Sequence, residues 1–264
     1  MIKLIASDMD GTLLNDQGII NKNIFTLIST LQKKNIVFVA ASGRSYSQLS
    51  NDFENADNAL LFIAHNGALI KYNNQGETLY SCPLDQEAIN HVLQLKREFG
   101  EEILLSGAEI AHIVNPSEEL VRIFNSYGLP ALVLNSFHQV KVPTYKISYF
   151  VTNGVNPAML EYLKNNLSSN LEFVVSGENW IDIMNKGTSK GAAIKILQEK
   201  FNIDKKNTMV FGDYYNDVTM FKTAYYSYAM KNAPEDVKKH ANFIADSNNN
   251  NGVYNIIYKY ASSM

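Results

Sequence analysis

The 264-residue chain carries one cysteine, Cys82. A single thiol excludes an internal disulfide framework and fits a reducing compartment. Charge is also scarce: 19% of residues are charged and the formal net charge is −3. That balance creates no strong field for nucleic acid or an anionic membrane, so neither is an expected partner. No window approaches the roughly 18 uncharged apolar residues that a membrane-spanning helix needs. The first apolar run, Leu4-Ile5-Ala6, is too short for a secretory leader and meets Asp8 at once. A cytoplasmic protein is expected. There is no Gly-Lys dipeptide either, which excludes the ordinary phosphate-binding loop of nucleotide hydrolases.

What is present is an alternation of short apolar runs and helical spacings. Strands are predicted over 1–7, 36–40 and 60–64, with helices over 23–34 and 45–53. The apolar runs lack polar alternation, as expected for a parallel sheet covered on both faces. A βαβαβ order of this kind argues for a doubly wound sheet. A hairpin over 68–72 and 78–81 then turns at Asn73-Asn74-Gln75-Gly76. The middle of the chain mixes motifs: helices over 87–99, 118–126 and 157–166, a hairpin over 103–105 and 110–114, and strands over 145–152, 171–175 and 180–184. From residue 189 the alternation resumes, with helices over 189–200, 217–222, 234–239 and 253–260 and strands over 208–211, 226–229 and 243–245. The expected architecture is α/β. A doubly wound, mainly parallel, Rossmann-like core comes from 1–82 plus 188–264, and an α+β cap that selects substrate is inserted over 83–187.

Four polar clusters fall where a strand ends or a helix begins. In SDMDGTLLND, Asp8 and Asp10 precede Gly11 at the carboxyl end of the first strand, where α/β sheets open their ligand crevice. A turn rich in Asp and Gly is the plainer account. A calcium loop fails, because Leu13 stands where its Gly is needed and Ile19 where its Glu is needed. In AASGRS, Ser42 and Gly43 offer a hydroxyl and an unhindered N–H to a phosphate oxygen, although a helix cap by Ser42 or Ser45 is simpler. In NKGTSKGAAI, Lys190 sits in a first helical turn against the macrodipole. A bound anion would explain it, and so would a solvated surface lysine. In FGDYYND, the oxygens of Asp213, Asn216 and Asp217 exceed what a cap requires. The run Asn248 to Asn251 reads as a polar loop in an asparagine-rich chain. Acids gathered in one crevice repel by about several kcal/mol at an effective dielectric near 20. A hard divalent cation relieves this. Mg²⁺ takes a few carboxylate oxygens and leaves positions for water or phosphate oxygens. A cation such as Lys190 is the other candidate partner for Asp217.

The four motifs, in this order, resemble the haloacid dehalogenase superfamily in its Cof-type branch with a large cap. DMDGT resembles the first motif, ASGRS the second, Lys190 in SKG the third and GDYYND the fourth. HNGA at 65–68 and NNNNGV at 248–253 resemble further Cof-type segments. The resemblance covers the whole chain. It implies that Asp8 attacks phosphorus and forms an aspartyl-phosphate. Asp10 would protonate the leaving oxygen and later deprotonate water, with Thr12 orienting it. Ser42 and Lys190 would hold the phosphoryl oxygens. Mg²⁺ would bind Asp8, the backbone carbonyl of Asp10, and Asp213, with Asp217 and Asn216 around the ion's waters. Gly43, Arg44, Asn66 and Asn216 would complete the substrate side. The implied activity is hydrolysis of a small phosphorylated metabolite, a sugar phosphate by default. A phosphomutase is the alternative within the superfamily, and a non-catalytic phospholigand sensor the alternative outside it. A monomer or weak homodimer is expected. Tyr214 and Tyr215 depart from the usual pattern and are read as packing at the crevice edge. Asn185 and Lys186 stand where many relatives carry proline.

Overall fold

The computed structural model of the protein describes residues 1–54, 56, 60–126 and 130–263. Every residue of β1 (Leu4–Ser7) is buried. Its two faces feed two cores. Ile5 packs in one with Ile28, Phe38 and Phe211. Leu4 and Ala6 pack in the other with Val39, Ile194 and Val210. A strand covered on both sides has no polar face, so its sequence reads as an unbroken apolar run.

In α1 (Asn23–Lys33) the buried residues Ile24, Leu27, Ile28 and Leu31 form one helical stripe. β2 (Val37–Ala41) and α2 (Tyr46–Asp52) follow. A capping box of Ser45 and Gln48 starts α2. Next come β3 (Leu61–Ala64), β4 (Leu69–Tyr72) and β5 (Thr78–Ser81). The middle of the chain gives α3 (Gln86–Gln94), β6 (Glu102–Ser106), β7 (Ala111–Val114), α4 (Glu118–Ser126) and β8 (Ala131–Leu134). It continues with β9 (Lys146–Phe150), α5 (Pro157–Asn166), β10 (Leu171–Gly177) and β11 (Trp180–Asn185). The last part holds α6 (Lys190–Phe201), β12 (Thr208–Gly212), α7 (Val218–Phe221) and β13 (Tyr226–Met230). It closes with α8 (Glu235–Lys238), β14 (Phe243–Ala245) and α9 (Gly252–Ser262).

One sheet runs β14-β13-β12-β1-β2-β3-β4-β5. It is parallel from β14 to β3 and antiparallel beyond. From β1 the chain steps outward to β2 and β3 on one side, while β12, β13 and β14 step outward on the other. The reversal lies between β1 and β12, and there a crevice opens at the carboxyl ends. Ser7 pairs with Phe211 in register, so Asp8 and Asp213 leave the sheet close together.

The second sheet, β10-β11-β9-β6-β7-β8, is antiparallel except for β7 with β8. On one face α3 and α5 pack Ile89, Val92, Met159 and Leu163 against Ile103, Ile147 and Ile183. The two-residue period of a strand then sends Ser148 and Asp182 to the opposite face, where they are direct cross-strand partners.

Two predicted features differ. The helix expected over 87–99 ends at Gln94, because Leu95 adopts an extended conformation. The chain beyond is held by one tertiary bond, from the Lys96 N–H to Tyr162 Oη, and by a local one from the Phe99 N–H to Glu101. β8 was not predicted. Its residues show no alternation, Leu132 and Val133 are exposed, and among the described residues it pairs only with β7.

Candidate active site

Asp8 follows β1 and is buried. The turn after it needs Gly11, which takes φ +72° and lies so close to Asp213 that a Cβ would collide with that carboxylate. Asp8 accepts from Lys190 Nζ at 2.5 Å, and Asp217 Oδ1 accepts from the same ammonium at 2.6 Å. Lys190 reaches them from the first turn of α6, which Ser189 caps through the Ala192 N–H. Asp217 Oδ2 accepts the backbone N–H groups of Asp213 at 2.9 Å and Tyr214 at 3.1 Å. The FGDYYND loop is therefore folded around its own last carboxylate.

Burial, and next the Asp217 charge, push the Asp8 carboxyl well above its usual range despite Lys190. The same two causes raise Asp213 to about 7. Burial disfavours the Lys190 charge, but Asp217 and Asp8 outweigh it and hold its pKa above the ordinary value.

A cavity of about 600 Å³ stands over Asp8. At its lower end lie Asp8, Asp10, Ser42, Gly43, Arg44 and Asp213. The second sheet contributes Lys146, Ser148 and Asp182, and a more apolar wall holds Leu104, Phe124, Pro130 and Trp180. Lys146 Nζ donates to the Gly43 carbonyl at 2.8 Å and to Asp182 at 3.0 Å. Asp182 also accepts from Ser148 at 2.7 Å and from Asn66 Nδ2 at 2.8 Å.

Residues 5–257 match the family model described as haloacid dehalogenase-like hydrolase. The chain belongs to this family. The hydrolase is 30% identical over 261 residues to 5-amino-6-(5-phospho-D-ribitylamino)uracil phosphatase YbjI of Escherichia coli (strain K12), across 98% of this chain and 96% of the relative. It resembles the crystal structure of SMU.1108c from Streptococcus mutans UA159 with a TM-score of 0.91 at 34% identity, over 99% of this chain and 100% of that one. A haloacid dehalogenase-like hydrolase from Bacteroides thetaiotaomicron shares the fold, with a TM-score of 0.86 at 24% identity over 98% of this chain and 100% of the other. Among the described residues, no helix is long and apolar enough to cross a membrane.

The hydrolase brings one carboxylate oxygen from each of Asp8, Asp213 and Asp217 within 4.8 Å of one another. Both Asp217 oxygens already accept protein donors. Asp8 and Asp213, both raised in pKa, are the pair left short of positive charge. Hard carboxylate oxygens in that state fit a divalent cation.

Two expected roles, those of Thr12 and Asn66, are corrected. The Thr12 hydroxyl donates to Asp213 Oδ1 at 2.8 Å, so it orients Asp213 and not Asp10. Arg44 lines the cavity while its guanidinium grips Asp10 and Asp52. Asn66 stands behind the cavity wall and joins Asp182 to Asn216, whose Nδ2 donates to Asn66 Oδ1 at 3.1 Å. Lys190 is fully buried and donates to Asp8 and Asp217; an ammonium has three N–H donors, so these two bonds leave the expected phosphoryl contact open. Ser42, Gly43 and Asn216 do line the cavity. Tyr214 and Tyr215 pack ring to ring beside it, with centroids 5.0 Å apart.

Sequence reasoning missed Asp52, Lys146, Ser148 and Asp182. For Asp52 no local signal exists, since it lies a full helix away from Arg44. For the others there was one. Asp182 stands between Ile181 and Ile183, and Ser148 between Ile147 and Tyr149, so each places one polar side chain on a face of an otherwise apolar strand.

Proposed function

We propose that the hydrolase is a Mg²⁺-dependent phosphatase of small phosphorylated metabolites, with residues 83–187 acting as a cap over the site. The observation that carries this reading is Asp8 itself. It is a buried carboxylate at the floor of a cavity, flanked by Lys190 and Asp213, with a second acid, Asp10, two residues on. Asp8, Asp213 and the Asp10 backbone carbonyl would hold Mg²⁺, which when bound neutralises charge on Asp8 and on the phosphoryl oxygens. An Asp8 oxygen attacks phosphorus, the ester P–O bond breaks, and Asp10 gives its proton to the departing oxygen. Water then attacks the phosphorus of the aspartyl-phosphate, Asp10 takes the water's proton, and Asp8 is regenerated as inorganic phosphate leaves. To act as the acid Asp10 has to carry a proton, and a protonated carboxyl pairs less strongly with the Arg44 guanidinium. Ser42 and the Gly43 backbone border the phosphoryl end.

The family default for the leaving group is a sugar. The wall of Trp180, Phe124, Leu104 and Pro130 favours a second reading, a hydroxylated chain that ends in a planar ring. The Escherichia coli relative is named for a substrate of that kind. Flavin mononucleotide, whose phosphate sits on a ribityl chain bearing a planar ring, tests it against plain sugar phosphates, and pyridoxal phosphate serves as a ring-bearing ester without the chain. Higher kcat/KM for the ring-bearing esters supports the second reading, and higher values for the sugars reject it.

The class of reaction is tested with p-nitrophenyl phosphate. Hydrolysis should need both Mg²⁺ and Asp8, disappearing with chelator and in Asp8→Asn. Undiminished turnover in Asp8→Asn would remove the covalent route.

A further inference from the structure

The bonds of Lys146 carry a consequence for substrate choice. This side chain starts β9 on the second sheet, yet its ammonium reaches the backbone carbonyl of Gly43, between Ser42 and Arg44 at the phosphoryl end. Its other protein acceptor among the described residues is Asp182. An ammonium has three N–H donors, so one remains, and the side chain lines the cavity. Asp182 is differently placed. It is buried, and it accepts from Lys146, Ser148 and Asn66. Its acceptor capacity serves to hold Lys146 in position.

We propose that Lys146 is a substrate-contacting residue that reads a hydroxyl oxygen of the leaving group close to the phosphoester, with Asp182 as its positioning residue. This rests on the phosphatase reading and adds to it the residue that selects the leaving group. Three features support the choice of a hydroxyl. Lys146 comes from the sheet opposite the one that carries Asp8 and Asp213, so it meets the side of the ester that departs. Its charge is already matched by Asp182, which makes a neutral oxygen a better partner than a second anion. Ser106, the cross-strand partner of Lys146, and Ser148 also line the cavity, and a serine hydroxyl can accept from neighbouring hydroxyls of a polyol chain.

The test compares wild type, Lys146→Met and the double variant Lys146→Met/Asp182→Asn. The double variant removes both partners, so that no buried carboxylate is left unpaired. Kinetics with Mg²⁺ are measured on p-nitrophenyl phosphate, whose leaving group has no hydroxyl chain, and on alditol and sugar phosphates of three to six carbons. Wild type should prefer at least one hydroxylated ester. Loss of one hydrogen bond to a charged group should lower kcat/KM for that ester by about 10- to 150-fold, mainly through KM. The value for p-nitrophenyl phosphate should fall by a clearly smaller factor, set by the lost bond to the Gly43 carbonyl. An equal fall on both substrates, no fall on either, or a wild type without preference would overturn the proposal. A calorimetric arm in the Asp8→Asn background separates this assignment from the phosphatase reading. There Lys146→Met should weaken the preferred ester and leave inorganic phosphate unchanged. If wild type turns over no ester, the phosphatase reading fails, and this binding difference still decides the role of Lys146. Equal weakening of ester and inorganic phosphate, or no weakening, rejects it.

Discussion

Arg44 holds Asp10 through both carboxylate oxygens, at 2.8 Å from Nε and 2.5 Å from a terminal nitrogen. Its other arm reaches Asp52 at 2.8 Å. Asp10 is thereby oriented at the cavity edge until a substrate draws it away. Asp10→Asn should slow turnover of alkyl phosphates by about 10²- to 10⁴-fold. Nitrophenolate departs without a proton, so the first half-reaction should survive on p-nitrophenyl phosphate. Stopped-flow absorbance should show a burst of about one nitrophenolate per active site and then a slow steady state. A linear trace at the wild-type rate would exclude Asp10 from acid–base work.

Lys190 is the only cation bonded to Asp8 and Asp217 among the described residues. Lys190→Met leaves two buried carboxylates unmatched and should cost about 3–5 kcal/mol of stability, as well as activity. Adding Asp217→Asn should recover part of the stability and none of the turnover. Urea denaturation in chelator measures both. A Lys190→Met protein as stable as wild type would show that the ammonium is not what neutralises this cluster.

Asp213 has a folded pKa of about 7, against about 4 for an unfolded aspartate. The sign follows from which state binds the proton more tightly. Here it is the folded state, so the metal-free fold is favoured at low pH and loses stability as pH rises from about 4 through 7. Asp213→Asn removes that dependence. With chelator at pH 8 the variant should be more stable than wild type by about 1–4 kcal/mol, with the gap closing near pH 4. Mg²⁺ should raise the Tm of wild type and leave the variant unmoved. A constant gap across pH would reject the argument.

His65 runs the other way. Its ring is buried and stacked on Tyr145, with centroids 5.3 Å apart. Burial, and then the charge of Lys146, depress its pKa well below the usual value. Above about pH 6.5 the imidazole is neutral in both states and contributes no pH dependence. Below that, the unfolded chain binds a proton that the folded one refuses. Stability then falls by up to about 1.4 kcal/mol per pH unit until the folded pKa is reached. In Mg²⁺, His65→Phe should flatten the wild-type slope between pH 6.5 and 5. Identical slopes would mean that the ring titrates normally.

Much of this architecture was legible because parallel strands leave a plain trace. The runs at Leu4 to Ala6 and Met209 to Phe211 lack polar faces, and the acids that follow them mark the crevice. Partners across the crevice were not legible. Thr12 could be paired with Asp10 by nearness in sequence, but the turn at Gly11 presents its hydroxyl to Asp213, far along the chain. Arg44 looked free for a ligand because Asp52 lies at the far end of α2, and no local pattern couples the two. The Lys146–Asp182 pair escaped because neither strand, taken alone, names the partner of its polar residue. Only the pairing of β9 with β11 brings the two together.

The pairing of β1 with β12 also governs how the protein is made. Residues Leu4 to Ser7 leave the ribosome about two hundred residues before their partners Thr208 to Phe211. Until then one edge of β1 lacks its neighbour, and the apolar faces that α6 and β12 will cover stay open to other chains. The nascent hydrolase therefore passes a long interval in which Asp8 is already synthesised but the strand before it is sticky. A slowly translated or truncated chain should aggregate through that edge.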